Sequence, residues 1–360
     1  MKTVIFNGDG LLSENLLGIH RYEYQILNRL DDLIKNSNIA VQVVVPKNKP
    51  CNINFKNIKI VKFGVEKNNS FSKYVWQQII FPFYTIINRA IGVDMTLALP
   101  IIKCQIVSLH DCIIEAFPEN YPSKRGKFFR KLYLFKAWCI TRGKRKIMTL
   151  SEESKKEIIK YYNISEDRIN IIPCGWEHML KVDLDDTILE KYKCLKPGNY
   201  FFSLGSKYKH KNFVWVVNAA KTHPQYYFVI TGAKNLSDYS KELEQEKLEN
   251  VIFTGYISDA QIKSLMLGCR ALIQPSFYEG FGLPPLEALS LGKQIIVSNA
   301  SCMPEIYGNA AHYIDPYDYD INLDILIEES VSDGKEILNK YTWSNAAEKF
   351  YNLLVEYYGT

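Results

Sequence analysis

Two doubly wound α/β domains in series are the fold class this sequence predicts, and three observations predict it. The chain has 360 residues, more than a single hydrophobic core usually serves. Short, apolar, β-rich runs alternate with longer segments of helical period, the grammar of a parallel sheet whose crossovers are helices. Near the middle that grammar lapses and then starts afresh.

In the first half the runs are "TVIF", "VQVVVP", "IKIVKFG", "MTLALP", "QIVSLHD", "KIMTLS" and "INIIPCG". The second half restarts with "YFFSLG", "YYFVITG", "NVIFTGY", "RALIQPS" and "QIIVSN", separated by helical segments such as Asn212–Thr222 and Asp259–Gly268. The junction falls in "KVDLDDTILEKYKCLKPGN", where the strand pattern lapses and Pro197-Gly198 precedes the new start. The expected division is a first domain over residues 1–180, a linker over 181–198, a second domain over 199–340 and terminal helices over 341–360.

The apolar share, 47%, is ordinary for a globular protein. No apolar run approaches a membrane span, and the opening "MKTVIFNGDG" turns polar where a signal-peptide core would continue, so a cytoplasmic protein is expected. The eight cysteines form no C-x-x-C pair, which argues against a zinc site or a disulfide framework and for reduced thiols. Charge is uneven: residues 1–180 hold 27 Lys and Arg against 16 Asp and Glu, a balance of +11, whereas residues 181–360 hold 17 against 23, a balance of −6. Between Glu119 and Glu152 stand ten cations and no acid, which implies an anionic partner.

Ligands of open parallel sheets sit beyond the carboxyl ends of the strands, so the strand-to-helix turns are where chemistry is expected. In "PSFYEGFGLPPLEALSLG", Glu279 falls in such a turn and Glu287 in the first turn of the helix that Pro284 and Pro285 begin. Carboxylates so close together can accept hydrogen bonds from the hydroxyls of a sugar, and the amides of Phe281, Gly282 and Leu283 can face phosphate or sugar oxygens. Taken singly, Glu287 complements a helix dipole and Glu279 is solvated.

Glu, seven residues, Glu, with "EALSLGKQIIVSNASCMPEIYG" following, resembles the donor-site signature of retaining glycosyltransferases of family 4, whose GT-B fold sets two Rossmann-like domains facing a central cleft. The resemblance covers almost the whole chain. "LLGIHRYEYQIL" is similar to that family's N-terminal glycine loop, "VSLHD" to its acceptor-side His-Asp, "SLGSKYKHKNF" to its phosphate-binding turn, and "YTWSNAAEKFYNLLVEYY" to its terminal helices, the last returning to the first domain. One such match is weak; this many in order is specific.

The resemblance implies roles. Glu279 contacts hydroxyls of the donor sugar and Glu287 the ribose of its nucleotide. Lys211, six residues after Gly205, binds the donor diphosphate and stabilises it as it leaves. Relatives often carry arginine where this chain has Ser206, so Lys207 or Lys209 supplies that charge or Lys211 acts with less help. Gly18 lets the first helix of the N-terminal domain approach the diphosphate. His110 lines the sugar and acceptor pocket with Asp111 orienting it, and Tyr256 lies where relatives seat the nucleobase. Counted singly, these are a turn glycine, a structural histidine and a core aromatic.

The resemblance thus implies retaining, metal-independent transfer of a hexose or deoxyhexose of mannose, rhamnose or glucose type from a nucleotide-diphosphate sugar, a co-substrate rather than a bound cofactor. The acceptor is a glycan hydroxyl, by analogy lipid-linked, in capsule, exopolysaccharide or O-antigen synthesis. A sugar-nucleotide epimerase of the same fold and a catalytically inactive partner subunit are the alternatives. In "KRGKFFRKLYLFKAWCITRGKRK", cations interleave with aromatic residues. That pattern fits a headgroup boundary better than nucleic acid, and predicts a first domain resting on the inner face of an anionic membrane through Lys124, Arg125, Lys127, Arg130 and Lys131. A helix packed inward on its aromatic face is the other reading.

Overall fold

Seven parallel strands organise the first half of the chain: β1 (Lys2–Asn7), β2 (Ile39–Pro46), β3 (Lys59–Phe63), β4 (Ile91–Asp94), β5 (Ile106–Ser108), β6 (Lys146–Thr149) and β7 (Ile169–Ile171). They lie in the order β3-β2-β1-β4-β5-β6-β7. The computed structural model describes residues 2–12, 18–66, 69–205, 208–232 and 248–359. Consecutive residues Val4, Ile5 and Phe6, and likewise Val43, Val44 and Val45, are fully buried, because a parallel sheet is covered on both faces. The order reverses between β1 and β4, and that reversal opens a crevice beyond their carboxyl ends.

Helix α1 (Ile19–Leu33) follows β1; α2 (Ser70–Val75) and α3 (Phe81–Ile87) form one helix interrupted by a π turn over Trp76–Ile80. After β5 come α4 (Ile113–Ala116) and α5 (Lys124–Arg142), and after β6 comes α6 (Glu152–Tyr162). One expected strand is displaced: in "MTLALP" the chain has already left β4. The Asp94 carboxylate accepts from Thr96 Oγ1 (2.8 Å) and Leu99 N (2.9 Å) and bends that segment into a turn in which Leu97 and Leu99 take φ of 60° and 50°.

The second sheet has six parallel strands, β8 (Tyr200–Leu204), β9 (Tyr227–Thr231), β10 (Val251–Gly255), β11 (Ala271–Gln274), β12 (Gln294–Ser298) and β13 (His312–Ile314), in the order β10-β9-β8-β11-β12-β13. Its helices are α7 (Thr187–Lys191), α8 (Phe213–Thr222), α9 (Asp259–Gly268), α10 (Leu283–Ser290), α11 (Met303–Tyr307), α12 (Leu323–Glu328) and α13 (Lys335–Lys340). Phe201, Phe213, Trp215 and Phe228 fill its core. The last helix, α14 (Trp343–Gly359), packs with the first sheet: Phe350 meets Phe6 edge-on at 5.6 Å and Trp343 meets Tyr22 at 6.0 Å.

The two compact units are therefore Met1–Cys174 with Trp343–Thr360, and Gly175–Thr342. Residues 181–198 belong to the second unit. Lys263 of α9 donates to the carbonyls of Met179 and Val182 (2.9 and 2.6 Å), Asp185 N donates to Ser264 Oγ (3.1 Å), and Ile188 and Leu195 are buried. No helix among the described residues is long and apolar enough to cross a membrane.

Candidate functional site

The switch point of the second sheet lies between β8 and β11, and the segments that leave these two strands carry Lys211 and Glu279. Glu279 is buried, and Lys211 Nζ donates to both its oxygens, Oε1 at 2.7 Å and Oε2 at 2.9 Å. Oε1 also accepts from Gln274 Nε2 (2.6 Å) and Ser276 Oγ (2.7 Å). Burial works to raise this carboxyl's pKa, but Lys211 and His210 beside it and the donated hydrogen bonds outweigh burial and hold it below the usual carboxylate range. Glu279 is thus an ionised acceptor with one oxygen saturated and the other engaged, among the described residues, by Lys211 alone.

The surrounding loop is built to hold that arrangement. Asn212, in the left-handed region at φ 53°, donates to the carbonyls of Pro275 (3.0 Å) and Pro316 (2.8 Å), clamping the exit of β11 to the start of α8. Phe277 N donates to His210 O (2.8 Å), and Ser301 Oγ donates to Glu279 O (2.9 Å). The His210 ring is buried, which pushes its pKa down to about 4 and leaves it neutral. At Gly205 a Cβ would stand 2.9 Å from Phe213 Cζ, so a bare Cα is required where β8 ends. Ser206 and Lys207 lie outside the described residues.

Gly282 precedes α10 at φ 81°, and a Cβ there would meet Met303 Sδ at 2.9 Å; Tyr307 also donates its hydroxyl to the Gly282 carbonyl. The Phe281 ring is core, edge-on to Tyr341 at 5.3 Å. Glu287 is the fifth residue of α10 from Leu283, so it stands beyond the first turn that the sequence suggested. Buried there, it meets a partner the sequence reading missed: His178 Nε2 lies 2.8 Å from Glu287 Oε1. Tyr256 follows β10 and is 79% exposed, hence no core aromatic.

In the first unit, His110 is buried past the end of β5, and its Nε2 lies 3.1 Å from the Met95 carbonyl. Its ring packs edge-on to Tyr22 at 4.7 Å. Burial lowers its pKa to about 4, so the imidazole is neutral. Asp111 Oδ1 accepts from Ile113 N (3.0 Å) at the start of α4. Gly18 takes φ 51° and ψ −112° before α1, a backbone only glycine adopts readily, and among the described residues nothing lies within 4 Å of where a Cβ would stand.

Helix α5 is turned inside out. Its inner face is Tyr133, Lys136, Ala137, Ile140 and Thr141, with Lys136 Nζ donating to the Ala98 carbonyl (2.8 Å). Phe128, Phe129, Phe135 and Trp138 are 69%, 51%, 55% and 50% exposed. Lys124, Arg125, Lys127 and Lys131 are exposed among them, whereas Arg130 donates to the carbonyls of Ile114 (2.8 Å) and Glu115 (3.0 Å). Arg125 reaches Ser70 Oγ (3.3 Å), which joins this surface to the helix of α2 and α3, where Phe71, Ile79, Phe83, Ile86 and Ile87 are also exposed.

Residues 185–341 match the family model described as glycosyl transferases group 1. The O-antigen chain mannosyltransferase B of Escherichia coli is 28% identical over 267 residues, which span 69% of this chain and 69% of that protein. The O-antigen chain mannosyltransferase RfbU of Salmonella typhimurium is 30% identical over 225 residues, spanning 61% of this chain but 59% of its own length. Among solved structures, Anabaena HepE, crystallised with UDP and glucose, superposes with a TM-score of 0.68 at 16% identity, covering 99% of this chain and 100% of that one. At that identity the likeness is one of fold.

Proposed function

The chain has the GT-B fold and carries a glycosyl transferases group 1 domain over residues 185–341, and on that premise we propose that it transfers a mannose-type hexose, with retention, from a nucleotide-diphosphate sugar to a hydroxyl of a lipid-linked glycan in surface-polysaccharide synthesis. The observation that carries the reading is the buried Glu279–Lys211 pair at the switch point of the second sheet. The names of the two mannosyltransferase relatives support the sugar, and HepE's bound UDP and glucose support a nucleotide-sugar donor.

Charge explains what such a pair does. Without donor, Lys211 is balanced by Glu279. A bound diphosphate shares that cation, and the negative charge near Lys211 grows as the glycosidic C–O bond breaks. Lys211 therefore stabilises the transition state more than the ground state, which speeds turnover without requiring a metal. Glu279 Oε2, engaged among the described residues only by Lys211, is the oxygen left to accept a sugar hydroxyl, because Oε1 already has three donors. Glu287 holds the ribose from a carboxylate fixed by His178. The departing phosphate takes the acceptor's proton, and the neutral His110 imidazole is a group able to meet a sugar hydroxyl. The inverted face of α5 rests on an anionic leaflet, each exposed cation near the surface adding about 1 kcal/mol.

Thermal-shift titration with GDP, UDP and dTDP tests the donor half of the reading, since a ligand present at one hundred times its Kd stabilises by about 2.7 kcal/mol. One nucleotide is expected to raise the melting temperature, and its mannosyl or glycosyl form to yield product. Flat titrations with all three, and no transfer from any matching donor, would overturn the proposal.

A further inference from the structure

At the amino ends of β5 and β6, the end of the first sheet away from His110, lies an open pocket of about 320 Å³ lined by Lys103, Cys104, Gln105, Lys144, Arg145 and Tyr357. The first five stand just before the two strands begin and Tyr357 comes from α14, so the pocket belongs to the first unit alone. It gathers the cations of the ten-cation run that α5 leaves over. Of the four that close that run, Arg142 lies over the Trp138 ring (5.5 Å) and Lys146 Nζ donates to the Asp167 carbonyl (3.0 Å). Lys144 and Arg145 remain, and Lys103 joins them from the turn before β5. No acid lines the pocket, and among the described residues none of its three cations forms an ion pair.

The charges are held in place. Arg145 donates from Nε to the Cys104 carbonyl (2.8 Å), from Nη1 to the Cys139 carbonyl (3.4 Å) and from Nη2 to the Ile101 carbonyl. Three of the five N–H donors of the guanidinium are thus spent on neutral oxygens, which orders the fork, leaves two donors among the described residues and leaves the charge uncompensated. Arg168 feels that charge: it donates to the carbonyls of Arg145 (3.1 Å) and Thr141 (2.8 Å), and its buried Nη2 has no partner among the described residues. Burial lowers the Arg168 pKa, Asp167 works against the fall, and Arg145 adds to it. Gln105 Oε1 accepts from Gly92 N (2.7 Å), so the side-chain amide keeps its Nε2 as a donor. Lys103 takes φ 40°, and its carbonyl accepts from Thr85 Oγ1 (3.1 Å), which fixes the turn that carries it. A concave surface of one sign concentrates counter-ions. Fixed donors with positive charge and no carboxylate suit a ligand group that only accepts and is itself charged, which describes a phosphoryl group rather than a neutral sugar. The volume lies at the small end for small-molecule pockets, enough for a phosphoryl group and a short substituent against the Tyr357 ring.

We propose that this pocket binds a phosphoryl group, Arg145 taking it through its fork and Lys103 and Lys144 through their charges, as a site separate from the donor site of the second unit. It rests on neither the donor assignment nor the glycosyltransferase reading. Isothermal titration calorimetry on the full chain, with inorganic phosphate, pyrophosphate and glycerophosphate as probes, tests it. At least one is expected to bind, more weakly as salt is added. Lys103→Ser/Lys144→Ser, two exposed positions whose change should leave the melting temperature as it is, should weaken binding at least about tenfold. Arg145→Gln should do the same, and Lys211→Met should not. Phosphatidylcholine vesicles with and without phosphatidic acid separate the two sources of the group. If it is a lipid headgroup, Lys103→Ser/Lys144→Ser loses binding to the acidic vesicles and glycerophosphate competes for it. If it is a soluble ester, vesicle binding is unchanged while the calorimetric loss stands; either result supports the site. No binding of any of the three anions together with unchanged vesicle binding, or binding lost in Lys211→Met yet indifferent to Lys103→Ser/Lys144→Ser, would overturn it.

Discussion

Removing Lys211 should do more than slow a reaction; it should strand a charge. In Lys211→Met the Glu279 carboxylate stays buried with, among the described residues, Gln274 and Ser276 as its neutral side-chain donors. Losing one member of a buried ion pair typically costs about 3–5 kcal/mol. The Lys211 side chain is 18% exposed, so water softens the loss and about 2–4 kcal/mol is expected at neutral pH. For a unit of this size each kcal/mol lowers the melting temperature by about 2–4 °C, which places the fall at roughly 5–15 °C.

The sign of the pH dependence discriminates. In the wild type Glu279 is held below its ordinary pKa, so its contribution is present above the unfolded value and fades as pH falls through the folded one. Without Lys211, burial dominates and the folded pKa rises, so the variant loses stability as pH rises instead. Its deficit should shrink between pH 7 and pH 4.5, and Lys211→Met/Glu279→Gln, which removes both charges, should recover most of it. Melting curves of the three proteins across that range decide the matter. A single variant as stable as wild type at neutral pH, or a double variant no better than the single, would refute the reasoning.

Three further outcomes are expected. His178→Ala, by taking a buried partner from Glu287 Oε1, should weaken nucleoside-diphosphate binding about three- to tenfold and cost about 1–3 kcal/mol of stability; unaltered titrations would detach His178 from the donor site. Glu115, pushed up to about 7 by burial despite the Tyr162 hydrogen bond, contributes stability that is complete below 4.5 and lost as pH rises through about 7; relative to Glu115→Gln the protein should lose roughly 3 kcal/mol over that window, and parallel profiles would show the carboxyl is ordinary. Co-sedimentation with vesicles should rise with anionic lipid, fall with salt, and drop when Lys124, Arg125, Lys127 and Lys131 become Ser; binding indifferent to all three would sink the membrane reading.

Strands were legible because a parallel sheet buried on both faces writes itself as continuous apolar runs, as in "VQVVVP". "MTLALP" misled because its apolar residues fill the core from a turn, under the control of a single buried carboxylate at Asp94. The Glu279 and Glu287 spacing was visible, yet what each carboxylate meets was not: Lys211 is 68 residues from Glu279 and His178 is 109 from Glu287, and only strand order brings them together. Gln274 and Ser276 left a fainter signal, polar residues at and just past the end of a wholly buried strand, which in hindsight points to a task for those side chains. The burial of Glu23 left none, since in the sequence it is one acid on an amphipathic helix.

Helix α5 shows where composition alone has to stop. Its aromatics and cations are interleaved, so the same letters describe a helix with its rings in the core and a helix with its rings in solvent. Spacing separates the two once the inner face is known. Tyr133, Lys136, Ala137, Ile140 and Thr141 recur at helical intervals and include a buried lysine, whose charge is costly there and whose pKa burial lowers. Lys136 remains because the Ala98 carbonyl accepts from it and the Tyr74 ring lies 5.8 Å away. A helix that places lysine and alanine inward and Phe128, Phe129, Phe135 and Trp138 outward gains nothing from water on that face. On the reading proposed above, an anionic membrane is what covers that face, with the exposed Lys124, Arg125, Lys127 and Lys131 meeting its headgroups.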